Sequence, residues 1–586
     1  MKPASAPRAF LAIFWLCGCP PAPTTSTLTV HDVPTPTIES FTVSPTALPA
    51  GGGNVTLEWA VTNTTVAFVD QGVGDVSGVF KKTVPVTTST VFTLGAVNAK
   101  SSTTATASVT VALAPPTISS FTADRTALPY GGGSVRLEWK SAGGQLTLDG
   151  VAVEAIASSV VNATATRTFM LTATNAVDSV SATVTVDVAT TTTIVGKVVY
   201  QDSPLPIVDA KVRVIGAGSV ATTDAAGGFS ISGIAPPYDL AFALNGSTRA
   251  FVYRGLTTVT PWVTAVGVRP PTVTATAVAG HITYVPAPAA LGSSLVQWTS
   301  AKKANGYATP DPSDNYNMPA GGGPAGWYGG SYDIGALWVL GFDGGTTYYG
   351  ARPNVTLAQD GSFSGLDITA TPQPNLTLSG TSTIPAAYSY VTRWVGSRFE
   401  AGGGYYAPGT ATPVFSVTFA KLPNAQQFIK MRAGLTGMTS VEFSETWLHG
   451  FVADAAGLSL AVDEAPLQLT PAGAATGVGY GTSFSWTPFS SGLYVLDVRP
   501  SPPDATTPSF SIITAATSDS FTDVTSLALP ALQSGKSYQW QVRALAPVAS
   551  VDAAASEGGS FYAILLQFEI AHKEAFSLVR SFTSGP

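Results

Sequence analysis

The sequence predicts an all-β protein built as tandem β-sandwiches in series, like beads on a string, and three observations predict it. Of 586 residues, 45% are hydrophobic and only 11% charged, against about 25% charged in an average soluble protein. Threonine and valine recur along the chain, and such β-branched residues suit a pleated, half-buried surface, while 58 glycines and 43 prolines supply turns between short strands. The third observation is an internal repeat. PTIESFTVSPTALPAGGGNVTLEW from Pro36 returns as PTISSFTADRTALPYGGGSVRLEW from Pro116, an offset of 80 residues. Length alone suggests about three to six domains. A formal charge of −7 leaves no basic patch, which argues against nucleic acid as a partner, and the apolar content argues against disorder.

Residues 1–19 read MKPASAPRAFLAIFWLCGC. Lys2 and Arg8 precede an apolar stretch, Ala9 to Leu16, that is too short to span a bilayer as a helix. The closing Leu16-Cys17-Gly18-Cys19 resembles the bacterial lipobox. That resemblance implies cleavage after Gly18, lipid on Cys19, and a membrane partner reached through the anchor. It places the chain in a cell envelope, at the outer membrane or surface of a Gram-negative bacterium. On this reading residues 1–18 are a lipoprotein signal peptide and 19–35 a Pro/Thr-rich tether. The alternative is an ordinary signal peptide with Cys19 incidental. Both cysteines of the protein lie here, so a disulfide framework is excluded.

The two repeats span residues 36–113 and 114–189. Val55, Leu57 and Trp59 alternate with Thr56 and Glu58, the period of two of a half-buried strand. The triple glycine before it marks a turn, and Asn98 and Asn175 mark a final hairpin. Seven or so short strands with one early tryptophan resemble the bacterial Ig-like and PKD-like modules of surface proteins, without the cysteine pair of antibody domains. Trp59 and Trp139 are then core residues rather than sugar platforms, because they keep register with Val and Leu.

Residues 190–270 carry Gly196-Lys197-Val198, Pro206 through Ala210, Thr223-Asp224-x-x-Gly227-x-Phe229 and Pro236-Pro237-Tyr238 in order. This resembles the carboxypeptidase-regulatory-like, transthyretin-related sandwich, which implies an appended, non-catalytic module. Asp224 and Gly227 predict a tight hairpin turn, with Phe229 and Ile231 facing inward. A calcium ligand is the sharper reading of Asp224.

Residues 271–457 form an unassigned β domain. Its segment 315–351 sets Trp327, Tyr328, Tyr332, Tyr348 and Tyr349 among many glycines. Flat rings on loops suit the apolar face of a sugar, so these five are the candidate ligand-binding residues. The competing reading makes Trp338-Val339-Leu340 a buried strand and the other rings its cover. Further on, Glu442, Glu445, Trp447 and His449 form the one cluster where an ionisable site is conceivable; on a strand the two glutamates face opposite sides.

Residues 458–586 resemble a fibronectin type III domain with an insertion around 548–572. Trp486 fits the early-strand core tryptophan, and Tyr538 follows the turn Ser534-Gly535-Lys536 at the position of that fold's tyrosine corner. His572, flanked by Glu569 and Glu574, reads as a solvated face.

Catalytic motifs are missing. The four histidines, His31, His281, His449 and His572, lie in separate segments, so no HExxH pattern exists, and no GxSxG elbow or phosphate-binding loop appears. Neither a metal nor a cofactor is expected. The sequence therefore points to a non-catalytic envelope lipoprotein that binds polysaccharide or an envelope protein, or adheres to a surface, through its membrane-distal domains. Competing classes are a polysaccharide or peptide hydrolase, with Glu442 or Asp343 as first suspects, and a purely structural envelope component.

Overall fold

The computed structural model describes residues 33–201, 205–302, 306–319, 323–399, 404–409, 412–435, 442–490, 492–521, 532–548, 550–556 and 572–585. The lipobox with Cys19 lies outside the described residues. The chain divides into two units, Met1–Val188 and Ala189–Pro586. Almost every element is a strand, as the all-β class of tandem sandwiches requires. No helix among the described residues is long and apolar enough to cross a membrane.

The first unit holds two Ig-like sandwiches of matching topology. In each, a three-stranded sheet faces a five-stranded one. Gly53–Thr62 is central in its sheet, between Thr37–Ser44 and Lys81–Val86. Its Val55, Leu57 and Trp59 are buried while Glu58 is exposed, and Val135, Leu137 and Trp139 repeat the pattern. The glycine run has a steric cause. Gly52 sits at φ +84°, and a Cβ there would lie 2.0 Å from the Val86 carbonyl oxygen; Gly132, at φ +77°, stands 1.9 Å from that of Ala163. Only glycine fits so close to a neighbouring strand. The hairpin asparagines act as clamps. Asn98 Nδ2 donates to the Pro34 carbonyl at 2.8 Å, and Asn175 Nδ2 donates to those of Ala114 and Gly143, each at 2.7 Å.

In the second unit, Thr192–Tyr200, Gly228–Ile234 and Trp262–Ala265 form one sheet. Asp224 Oδ1 accepts the Ala226 and Gly228 amides, each at 2.8 Å, so the oxygen is committed to the predicted hairpin turn. Phe229 and Ile231 are buried and Ser230 and Ser232 exposed, as their alternation requires.

Residues 271–457, with the few that complete the strand Ala455–Ala461 and reach Val462, contain two cores. One gathers residues from Ala275 to Ala370, the other from Leu376 to Val462. Trp338, Leu340 and Tyr349 pack with Phe399, Ala420 and Leu422 between them.

The sandwiches of the second unit are spliced edge to edge. A 14-stranded sheet runs from Val220–Thr222, Lys211–Val214 and Tyr238–Ala243 through Arg249–Leu256, Ser509–Thr514, Leu493–Pro500, Ser537–Ala546 and His572–Phe576 to Phe443–Phe451, Ala425–Gly434, Tyr390–Phe399 and Gly404–Gly409. Its joint is the parallel pairing of Arg249–Leu256 with Ser509–Thr514. Leu493, Val495, Ile513 and Leu545 enter the core built by Ile194, Phe242, Phe251 and Tyr253. Phe242 and Phe251 stack there at 4.9 Å. On the opposite face, Trp486, Tyr494, Leu496 and Trp540 form a separate core. Tyr538 is buried with them, and its hydroxyl accepts the Gln533 amide at 3.1 Å. Of the insertion, the short helix Val551–Ala554 is described; Asp552 accepts the Thr257 and Thr258 amides, and residues 557–571 lie outside the described residues.

This shared core predicts the behaviour of fragments. A fragment of residues 271–586 removes the cover over Leu493, Val495, Ile513 and Leu545. It should melt well below a fragment of 189–586 and bind a hydrophobic dye in native buffer. Equal melting temperatures would show that the joint contributes nothing.

Candidate functional site

The glycine-rich aromatic segment is mostly core. Trp327 is 0% exposed, with Nε1 donating to the Gly330 carbonyl at 3.1 Å. Tyr348 and Tyr349 are 5% and 7% exposed, held against Tyr284 and Phe399. A ring with no uncovered face cannot stack on a sugar, so the binding role expected of Trp327, Tyr348 and Tyr349 is corrected to packing. Tyr328 is half-buried on a strand paired with Thr272–Thr274. Tyr332 remains 57% exposed, with Lys302 Nζ 5.5 Å from its ring centroid. Of the suspected catalytic acids, Asp343 accepts the Ala289 amide at 2.9 Å, and Glu442 is pushed up by desolvation, with Glu464 adding to the shift. They belong to different sandwiches.

A better-formed site lies on the shared sheet. Opposed residues of paired strands share a face, and Asp497 stands opposite Ser511 and Gln541. From that face Leu493 and Val495 enter the core of the 190–270 sandwich. Two and four residues on, past the edge of that cover, the same face presents Asp497 and Arg499. They line a cleft of about 570 Å³ with Asp504, Ser509, Gln539 and Gln541. At Asp497, Arg499 and Gln541 it meets an inner chamber of about 200 Å³, walled by Gln201, Arg249, Gly267, Arg543 and Phe576.

The cleft's groups are braced. Arg249 Nη2 donates to Ser511 Oγ at 2.9 Å, and its guanidinium lies 5.0 Å from the Phe251 ring centroid. Burial lowers its pKa, partly offset by Asp497. Asp497 Oδ1 accepts the Ser511 hydroxyl at 2.6 Å and stands 3.5 Å from Arg249, while Oδ2 stands 3.6 Å from Arg499. Asp504 is held down to about 2, first by the Thr507 hydroxyl and then by the Thr506 amide and hydroxyl. A carboxyl so strongly ionised is unsuited to the general acid that glycoside hydrolysis needs. This set of amides, guanidiniums and engaged carboxylates is suited to hydrogen-bonding a polar ligand.

Farther along the same face the sheet carries ions and rings in alternation. Glu445 pairs with Arg432 and accepts Trp447 Nε1 at 3.0 Å, and Arg543 pairs with Glu574 at 2.5 Å. Lys430 Nζ lies 4.3 Å from the Trp447 centroid, 4.6 Å from that of Trp394 and 5.6 Å from that of Tyr406. Such contacts contribute about 0.5–2 kcal/mol each, and they turn these rings to internal use. His449 Nε2 and His572 Nδ1 are 2.9 Å apart, and Trp447 stacks on His572 at 5.2 Å. His572 is thus buried rather than part of a solvated face. Desolvation, with Arg398 adding, pushes His449 down to about 4. Desolvation, with His449, Arg398 and Lys430, pushes His572 to about 3. Among the described residues no group of three or more His, Cys, Asp or Glu is placed to hold a metal ion.

Sequence reasoning missed both the cleft and the histidine pair, since their members come from segments far apart in the chain. A local signal existed: Glu445-x-Trp447-x-His449 and His572-x-Glu574-x-Phe576 each place chemistry at period two.

No family model matches the chain, and no curated protein does. Among solved structures it is similar to the titin domains Z1Z2 in complex with telethonin, at 21% identity over 27% of this chain and 98% of that one, TM-score 0.17. It is also similar to the Bacillus anthracis TIE protein, at 10% identity over 73% and 75%, TM-score 0.13. Sidekick-1 immunoglobulin domains 1–5 match at 12% identity over 73% and 98%, TM-score 0.15. At such identities and scores these likenesses carry no functional argument.

Two outcomes test the site assignments. Trp327→Ala should destabilise the second unit by about 3–5 kcal/mol, as large core truncations do, whereas Tyr332→Ala should stay within about 0.5 kcal/mol; denaturant unfolding distinguishes them. The histidine pair sets a pH dependence. Unfolded histidine titrates near 6.5, so below that pH the unfolded chain takes up protons before the folded one. Stability from the pair is therefore present above about pH 6.5 and declines as pH falls towards the folded values of about 4 and 3. His572→Phe keeps a ring on Trp447 and removes one titration, so its melting temperature should fall less steeply between pH 7 and pH 4. An identical slope would remove the pair as the source.

Proposed function

We propose that this chain is a non-catalytic envelope lipoprotein that binds polysaccharide through the cleft on its shared sheet. The observation that carries the reading is the cleft: about 570 Å³, lined by Asp497, Arg499, Gln539 and Gln541, with its described carboxylates engaged by neighbours. In this reading lipid on Cys19 holds the protein at the outer membrane or cell surface. Residues 20–35 and the two Ig-like sandwiches are the spacer. The modules resembling carboxypeptidase-regulatory-like and fibronectin type III domains, with residues 271–457 between them, carry the binding end. Splicing into one sheet supports this role, because a site on the interior of a sheet keeps its geometry when a ligand pulls on it.

The test uses the chain with Cys19→Ala, which should leave the membrane fraction; persistent partition with membranes would discard the anchor. That soluble protein should co-sediment with insoluble envelope polysaccharide and release no sugar. Arg499→Ala with Gln539→Ala, both exposed residues of the cleft lining, should weaken retention at least ten-fold with little change in melting temperature. Released sugar would overturn the non-catalytic reading. Retention unaffected by the double substitution would move the site elsewhere.

A further inference from the structure

Resting on that reading of the cleft, we infer that its ligand is an acidic glycan, and that the inner chamber receives a carboxylate of the sugar chain between Arg249 and Arg499. The chamber is lined by three guanidiniums, of Arg249, Arg499 and Arg543, and one carboxylate, Asp497. Arg543 is answered by Glu574. Arg249 and Arg499 are left to share Asp497, at 3.5 and 3.6 Å, longer than the roughly 2.7–2.9 Å of a direct charge-assisted hydrogen bond. Within the chamber one positive charge is therefore in surplus, and the carboxylate of Asp504 lies in the adjoining cleft rather than in the chamber.

The second observation is an unmet donor. Arg249 Nε is buried and has no hydrogen-bond partner, although buried polar groups are as a rule paired. The guanidinium is not free to turn away. Ser511 holds Nη2, Phe251 lies against its plane, and Gly267, at φ +78°, admits it where a Cβ would stand 3.1 Å from both terminal nitrogens. A guanidinium fixed in place with one donor still unmet suits a carboxylate, whose oxygens accept such donors. Arg499, 58% exposed, is placed to close over the second side.

The carrier of that carboxylate is a glycan rather than a peptide. The cleft's floor strand, Leu493–Pro500, is paired to Ser537–Ala546 along its length and to Ser509–Thr514 over Tyr494–Val498. Over that stretch both edges are taken, so an extended peptide cannot add there as a strand. Recognition falls to side chains, and Ser509 and Gln539 offer donors and acceptors in the spacing-tolerant form that hydroxyls require.

Calorimetric titration of the full chain with Cys19→Ala tests this with three probes of equal length: a galacturonate hexamer, a glucose hexamer and hexaglutamate. The expected result is at least ten-fold tighter binding of galacturonate than of glucose, weakening as salt is raised. Arg499→Gln should abolish that preference while leaving the melting temperature unchanged. Arg249→Lys, which keeps the charge and loses the fork, should weaken galacturonate binding several-fold. Equal affinity for the two sugars, or an Arg499→Gln protein that still prefers galacturonate, overturns the acidic ligand and leaves the polysaccharide reading standing. Tighter binding of hexaglutamate overturns the glycan as carrier. Binding of none of the three overturns the inference, and if envelope polysaccharide is not retained either, the underlying reading falls with it.

Discussion

One pairing organises the second unit: Arg249–Leu256 lies parallel to Ser509–Thr514. Parallel neighbours cannot be joined by a tight turn, and here the connection is more than 250 residues long. That connection is filled by two further sandwich cores. The last of them returns to the same sheet, where Phe443–Phe451 pairs with His572–Phe576. Modules that follow one another in sequence thus become neighbours in an order set by strand register. So non-local a topology is expected to fold slowly, and once formed it leaves few independent hinges within the sheet.

The joint also explains why the polar site lies where it does. A sheet face is uniform in geometry but not in cover. Where the 190–270 sandwich lies over it, the face carries Leu493, Val495, Ile513 and Leu545. Where that cover stops, the alternate positions of the same strands become Asp497, Arg499, Gln541 and Arg543. Burying such groups without partners is costly, and the structure meets this with the Arg432–Glu445 and Arg543–Glu574 pairs and with cations set over rings. The face is one ladder, apolar under its cover and ionic beyond it.

The first unit is organised by shorter-range rules. Its repeats keep a glycine where a neighbouring carbonyl comes within about 2 Å of the missing Cβ, and an asparagine that ties the last hairpin to the incoming chain. The trait that repeats in sequence is the trait the backbone cannot supply with another residue. Trp59 and Trp139 follow the same logic as core anchors, since the sandwiches contain no disulfide.

How far this protein was legible from its sequence follows from the range of each interaction. Alternation at Val55-Leu57-Trp59, the turn at Asp224-x-x-Gly227 and the buried Phe229 depend on residues a few positions apart, and they could be read directly. The aromatic segment around Trp327 could not, because a ring on a glycine-rich stretch looks the same in sequence whether a neighbouring strand covers it or not. His449 and His572, 123 residues apart, became partners only through the pairing of their strands. The same holds for Arg249 and Asp497, whose chamber exists because two distant strands share one edge. By itself the sequence determined the all-β class, the Ig-like repeat and the local turns, since period two and turn chemistry are local properties and a repeat shows as self-similarity of the chain. Tertiary structure alone decided which polar residues meet, because register and cover are set by pairings that no local pattern encodes.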